Sequence, residues 1–309
     1  MRLEGYYDSC GEGRIHYYQW VPETPPRAVL QIIHGIAESA DRYEETAAYF
    51  NSLGYVVSAE EHMGHGKSAA SQQGYFEGGW LSAVKDTMHL SEKIQAEYLG
   101  LPYAFLGHSM GSFMLRTILC RFPDCRIDAA VISGTGWQPR SALPAMEAAG
   151  RTFCRKEGPK TQSELFNHMV FGRYNAKVEH RQTEYDWLTR DRAVVEEYIG
   201  NPNCGFLATN GLLRDLISGL RIVENAGNLS HMQKNLPVLF TSGTMDPVGA
   251  YGKGVKRTVS EFKKAGMQDV TMKLYPLCRH ELLNEINRRE ILQDISSWLN
   301  EKLFKEEML

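Results

Sequence analysis

The chain is short of long apolar stretches. No run in its 309 residues approaches the roughly 20 needed to cross a bilayer as a helix, so stable membrane insertion is not expected. It also lacks an excess of either charge: Lys and Arg number 34 against 37 Asp and Glu. That balance gives no footing for a nucleic-acid partner or a strongly anionic surface. Six cysteines (Cys10, Cys120, Cys125, Cys154, Cys204, Cys278) are scattered without CxxC spacing and read as reduced thiols. The opening Met-Arg-Leu-Glu-Gly-Tyr-Tyr-Asp has no apolar core of a secretory leader, so a cytoplasmic protein is expected. No Cys/His cluster has metal-ligand spacing, and neither metal nor organic cofactor is expected. His280-Glu281 lacks the second histidine of a zinc helix. Gly66-Lys67-Ser68 looks like the end of a phosphate loop, but Glu61 stands where an earlier glycine is needed. The basic stretch Arg151–Lys160 is interrupted by Glu157, Gly158 and Pro159 and reads as a solvated helix end and turn.

What is present is an alternation of short apolar runs and longer helical patterns, the mark of βαβ units around a mainly parallel sheet. Strands are expected at Ile15–Trp20, Ala28–Ile33, Tyr55–Ala59, Tyr103–Leu106, Ala129–Ser133, Val238–Thr241 and Val270–Tyr275. Helices are expected at Asp41–Leu53, Trp80–Tyr98, Ser109–Arg121, Val255–Ala265 and Glu281–Leu303. The last carries Ile291, Ile295, Trp298, Leu299 and Leu303 on one face. About a hundred residues of helical composition separate Ser133 from Leu236, with no convincing buried strand among them. The expected organisation is therefore a core at 1–135 and 236–309, with a helical cap at 136–235 inserted before the strand that leads to Asp246.

Within this pattern Gly107-His108-Ser109-Met110-Gly111 ends an apolar run and opens a helical one. A serine on so sharp a strand-to-helix turn needs glycines around it, because neighbouring side chains would collide. The arrangement resembles the nucleophile elbow of the α/β-hydrolases, in which Ser109 would attack a substrate carbonyl. Such chemistry needs a base, a carboxylate to orient it, and N–H donors for the oxyanion. The fold orders these partners as Ser, then Asp or Glu, then His. Asp246 follows an apolar strand on a loop with Gly243 and Pro247. Asp-Pro there is also an ordinary turn and helix start, and its place between Ser109 and His280 makes it the acid. His280 is the one histidine after Asp246, so it is the base. Met110 N–H and Ile36 N–H are the expected oxyanion donors, with Gly35 allowing close approach. His34 reads as a loop-bonding histidine rather than a catalytic one.

Taken together, these segments resemble the monoacylglycerol lipase/lysophospholipase branch of the α/β-hydrolases over nearly the whole chain. The resemblance rests on His34-Gly35-Ile36-Ala37-Glu38 with Asp41-Arg42-Tyr43, on Glu61-His62-Met63-Gly64-His65-Gly66-Lys67-Ser68, and on the elbow. It also rests on Gly243-Thr244-Met245-Asp246-Pro247 and His280-Glu281-Leu282-Leu283-Asn284-Glu285. Asp186-Trp187-Leu188-Thr189-Arg190-Asp191 and Asn201-Pro202-Asn203-Cys204-Gly205-Phe206 look like bacterial members. Glu61, Ser112 and Ser39 depart from the branch, where Asp, Gly and His are usual.

The resemblance implies an eight-stranded sheet with a lid and, as substrate, an ester of a fatty acid or a related small acyl ester, first of all a monoacylglycerol- or lysophospholipid-like one, cleaved through an acyl-enzyme on a Ser109–His280–Asp246 triad. Gly35, His108, Phe166, Met169, Trp187 and Leu212 are taken as substrate-binding candidates. Met146, Phe153, Leu165, Val170, Phe171, Phe206, Leu207 and Leu213 are further apolar candidates for the acyl pocket, most of them expected to serve packing. A peptidase or thioesterase on the same triad remains open, with Glu164, Glu184 and Glu196 available to hold an ammonium group. So does a non-catalytic ligand-binding role. A cofactor-free haloperoxidase or C–C hydrolase is a smaller alternative. Peripheral membrane contact through a lid face is conceivable, without a basic amphipathic helix to support it. The sequence leaves the oligomeric state open.

Overall fold

The computed structural model describes residues 1–69, 72–139 and 141–304. The chain runs β1 (Arg2–Asp8), β2 (Arg14–Trp20), β3 (Ala28–Ile33), α1 (Glu44–Ser52), β4 (Tyr55–Glu60), α2 (Trp80–Glu97), β5 (Tyr103–His108), α3 (Met110–Arg121) and β6 (Ala129–Ser133). There follow α4 (Ala142–Glu157), α5 (Glu164–Phe171), α6 (Arg192–Gly200), α7 (Asn210–Val223) and α8 (Ala226–Leu229). β7 (Val238–Gly243), α9 (Lys253–Lys264), β8 (Val270–Tyr275) and α10 (Arg288–Leu303) complete it. The last five residues of the expected second core segment, and two short gaps at 70–71 and 140, lie outside the described residues.

The strands form one eight-stranded sheet in the order β1-β2-β4-β3-β5-β6-β7-β8. β1/β2 and β2/β4 pair antiparallel, and every pair from β4/β3 to β7/β8 is parallel. Every residue of β3, β4, β5, β6 and β7 is buried, as continuous apolar runs in a parallel sheet require. Alternate side chains feed two layers. Val29 and Ile33 meet the layer of α2, α3 and α9, while Leu30 and Ile32 meet that of α1 and α10. The strand order reverses at β3, which has β4 on one side and β5 on the other. That is where open α/β sheets bind ligands, outside the carboxyl ends of their strands.

Three expectations need correction. β1 went unread because only Tyr7 on it is buried, which leaves no apolar alternation to detect. The helix expected from Asp41 begins as a 3-10 turn, Ala40–Tyr43, before α1. The terminal helix begins at Arg288, not Glu281. Its expected first turn is instead a loop with a short 3-10 segment, Leu282–Asn284, bent around the buried Glu285 carboxylate. That carboxylate accepts the N–H groups of Arg279 and Ile286.

Residues between β6 and β7 carry α4 to α8. α7 is not loosely perched: Leu212, Leu213, Leu216, Ile217 and Leu220 belong to the same buried cluster as α2 and α3. The buried Arg116 of α3 ties down both ends of this region, donating to Thr135 Oγ1 (3.1 Å), Gly136 O (2.9 Å) and Val223 O (3.2 Å).

Candidate active site

The register that aligns Ile33 with Gly107, and His108 with Ser133, brings the ends of β3, β5 and β6 level. Ser109 sits at the turn out of β5 with φ 52° and ψ −119°. A non-glycine residue held there costs of order 1–3 kcal/mol, which the surrounding packing must offset. Glycine makes the turn feasible: a Cβ at Gly111 would lie 2.0 Å from Ile33 O, and one at Gly107 2.5 Å from Gly111 O. Ser109 N–H donates to Ser133 O at 3.0 Å. Ser112 is accommodated at the start of α3 by its hydroxyl, which donates to Ser109 O at 2.6 Å.

The loops after β7 and β8 supply a carboxylate and an imidazole. Asp246 is fully buried, and its Oδ1 accepts from His280 Nδ1 at 3.0 Å and from Val248 N–H at 2.9 Å. Its Oδ2 accepts from Ser242 Oγ at 3.2 Å. Burial works against the charged form of His280, but the Asp246 carboxylate outweighs it and leaves the imidazole pKa above its usual value. The other ring nitrogen, Nε2, is buried and has no hydrogen-bond partner. In unliganded hydrolase sites the bond from serine to histidine is commonly open until substrate arrives.

Ser109 and His280 line one cavity of about 1100 Å³. Gly35, Ile36 and His108 join them, and a Cβ at Gly35 would sit 3.1 Å from Ser109 Cβ. Met110, whose N–H was assigned to the oxyanion, is the first residue of α3 with its side chain buried. Trp187 also lines the cavity. Three other candidates do not. Phe166 is buried and stacked on Phe153 (ring centroids 4.6 Å apart), Leu212 lies within the core beside α3, and Met169 is exposed. The cause is helix phase. α5 presents Glu164, Leu165, His168 and Phe171 to the cavity at helical spacing, and Phe166 and Met169 fall outside that stripe. Phe206 and Leu207, named among the apolar candidates, are on the lining.

Other lining groups carried no sequence signal: Tyr198, Arg181, Gln182, Thr183 and Tyr185, while Leu188 was visible only within a motif. Glu38 and Arg42 were visible within a motif, but their part was not. Arg42 bonds both oxygens of Glu281 (2.8 and 2.7 Å) and reaches Glu38 Oε2 at 2.7 Å. Glu38 Oε1 in turn accepts Gly35 N–H at 2.5 Å. The loop after β3 is thereby tied to the His280 loop. Burial alone would raise the Glu281 carboxyl, yet Arg42 holds it below the ordinary range.

His34 is a link between loops, as expected. Its Nε2 accepts His62 N–H at 3.0 Å, and His62 Nε2 meets His34 O at 3.0 Å. Nearby, burial drives His65 down to about 3, and His108 likewise to about 3. Both titrate near 6.5 once unfolded, so the unfolded chain binds the extra protons. Their stabilising effect is complete above pH 6.5 and is lost as pH falls toward 3. The melting temperature is therefore expected to drop steeply between pH 6.5 and 4, with His65→Gln flattening that dependence. A melting temperature unchanged over this interval would contradict the neutral, buried state of these rings.

Residues 24–287 match the family described as serine aminopeptidase, S33. The chain belongs to this family. The monoacylglycerol lipase of Mycolicibacterium smegmatis is 29% identical over 96% of this chain and 97% of its own. The monoglyceride lipase of Mus musculus is 25% identical over 92% of this chain and 86% of its own. A thermostable carboxyl esterase from Bacillus coagulans, solved with glycerol, superposes with a TM-score of 0.89 at 25% identity, covering 98% of this chain and 99% of its own. The S33 chain is thus an α/β-hydrolase, similar to monoacylglycerol lipases. Among the described residues no helix is long and apolar enough to cross a membrane, and no three His, Cys, Asp or Glu are grouped to hold a metal ion.

Proposed function

We propose that the protein is a carboxylic ester hydrolase acting on monoacylglycerol- or lysophospholipid-like acyl esters, with residues 136–235 as its cap. The observation that carries this reading is the strained Ser109 lining the same large cavity as His280, whose Nδ1 is held by Asp246 and whose Nε2 is unpartnered. Ser109 attacks the ester carbonyl, His280 takes its proton, and the alcohol leaves to give an acyl-enzyme. Water, activated by the same base, then releases the acid. Ile36 and Met110 N–H groups receive the oxyanion, each worth on the order of 10²–10³ in rate. The names of the lipase and esterase relatives support an ester as substrate, and the half-apolar lining suits an acyl chain.

One observation favours a second reading. Glu164 and Glu184 both line the cavity, where a carboxylate is suited to an amino terminus, and the family description names aminopeptidases. Rates on p-nitrophenyl esters from acetate to palmitate, set against aminoacyl p-nitroanilides, decide between them. Ester turnover with negligible anilide turnover is expected, and the reverse order would overturn the ester reading. A chain inert to both and to a fluorophosphonate probe at Ser109 would be a binding protein.

The base must be neutral to accept a proton, so activity rises as pH climbs through the raised pKa of His280. The acid limb of kcat/KM is expected above pH 6.5. A limb centred below about pH 6 would show that burial, not Asp246, governs the ring.

A further inference from the structure

The His280 imidazole is packed against two aromatic rings. The His108 ring is 4.7 Å away, centroid to centroid, and the Trp187 indole 5.0 Å away at an interplanar angle of 37°. Trp187 is backed in turn by Tyr174 at 4.8 Å. A substrate wall alone would not need the fastening that holds Trp187 there. His280 N–H reaches Trp187 O at 3.4 Å, and Glu281 N–H donates to Leu188 O at 2.7 Å. Arg279 Nη1 donates to the carbonyls of Asp186 (2.5 Å) and Thr189 (2.9 Å). Arg190 Nε bonds Glu285 Oε2 at 2.8 Å, while Glu285 Oε1 holds Arg279 N–H at 2.7 Å. The Asp186–Asp191 segment, noted in the sequence without a role, is a strap bolted to the loop that carries the base.

The base becomes an imidazolium when it takes the serine proton, and it does so buried. Asp246 faces it from the β7 loop, Glu281 is its chain neighbour, and Glu38 faces it from the loop after β3, with Arg42 between those two carboxylates. Among the described residues, the aromatic rings in contact with it are those of His108 and Trp187. His108 stays neutral at any working pH. An indole within about 6 Å of a cation, by contrast, attracts it through the negative face of its π system, most strongly among the aromatic side chains.

We propose that Trp187, held over His280 by the Asp186–Asp191 strap, is a positioning residue that stabilises the imidazolium formed during the reaction. The inference rests on the reading of His280 as the base. Two outcomes of removing the indole have opposite signs, which separates this role from simple cover. Losing a cation-stabilising face shifts the base toward lower pKa; losing an apolar cover admits water and shifts it upward.

The experiment compares wild type with Trp187→Phe and Trp187→Leu on p-nitrophenyl acetate, an ester too short to depend on the acyl wall. Trp187→Leu is expected to lower kcat roughly threefold to thirtyfold with KM within about twofold, and to move the acid limb down by roughly half to one pH unit. Trp187→Phe is expected in between. A second readout needs no turnover. In the Ser109→Ala background, the fluorescence difference between Trp187 and Trp187→Phe chains is expected to titrate, as imidazolium quenches the indole, and to go flat in His280→Gln. An acid limb that stays put or moves up in Trp187→Leu, a change confined to KM, or a flat fluorescence difference each overturns the proposal. Full activity in Ser109→Ala alone would instead remove the triad reading, and with it the ground of this inference, even with the ring contact intact.

Discussion

Replacing Ser109 with alanine is expected to lower kcat/KM on p-nitrophenyl esters by on the order of 10⁴–10⁶ while leaving the fold intact. The substitution removes one oxygen. Alanine occupies φ 52° no less readily than serine does, and Ser109 N–H keeps its bond to Ser133 O. Gly111 and Gly107, which set the close approach of α3 to β3 and to β5, are untouched. Rates should be followed beside a thermal melt. A variant with the wild-type melting temperature and less than a tenfold loss in rate would show that Ser109 is not the nucleophile. Residual turnover well above water is compatible with the assignment, because the N–H groups of Ile36 and Met110 proposed to receive the oxyanion, and the cavity, survive the change.

The second large effect concerns Asp246, and here the surroundings distinguish two substitutions. Asp246→Ala leaves His280 Nδ1 and Val248 N–H buried without an acceptor and removes the charge opposite the imidazolium. A loss on the order of 10⁴ in kcat is expected. Asp246→Asn should be milder. Val248 N–H is a fixed donor at Oδ1, so the amide oxygen must stay on that side and still face His280 Nδ1. The amide nitrogen then falls toward Ser242 Oγ, a hydroxyl able to turn and accept. Tautomer and orientation persist while the charge is lost, so the acid limb of the pH profile should also move downward. Kinetics of the two variants from pH 5 to 9 test this. Equal losses would mean that the Val248 contact does not orient the group.

The elements most readily read from sequence were those written locally. β3, β6 and β8 begin and end where their apolar runs do, and the Gly-x-Ser-x-Gly turn carries its own steric logic. Asp246 and His280 followed from chain order, and the structure brings them to 3.0 Å of each other. Elsewhere the deciding interactions join residues far apart in sequence. β1 borrows its order from β2 and has almost no buried face. The start of α10 is delayed by Glu285, Arg190 and Arg279, whose mutual bonds no periodicity foretells. In α5, a helix only 8 residues long, Phe166 and Met169 were put ahead of Leu165 and Phe171, although the polar Glu164, Asn167 and His168 mark the face that meets the cavity. Trp187 stood out as a large cavity-facing residue, but its contact with His280 belongs to the meeting of two loops.

The sharing of one buried cluster by α7, α2 and α3 bears on how such proteins exchange parts. A chimera that transplanted residues 136–235 whole would tear Leu212, Leu213 and Leu216 away from the scaffold and replace the segments whose Gly136 and Val223 carbonyls Arg116 binds. A smaller exchange, α5 to the loop at 205–208, would carry part of the cavity lining and keep α7 in place, but it would still part Phe166 from Phe153 and from that cluster. Within it, Asp186–Asp191 must travel together with Arg279 and Glu285, as a plug travels with its socket.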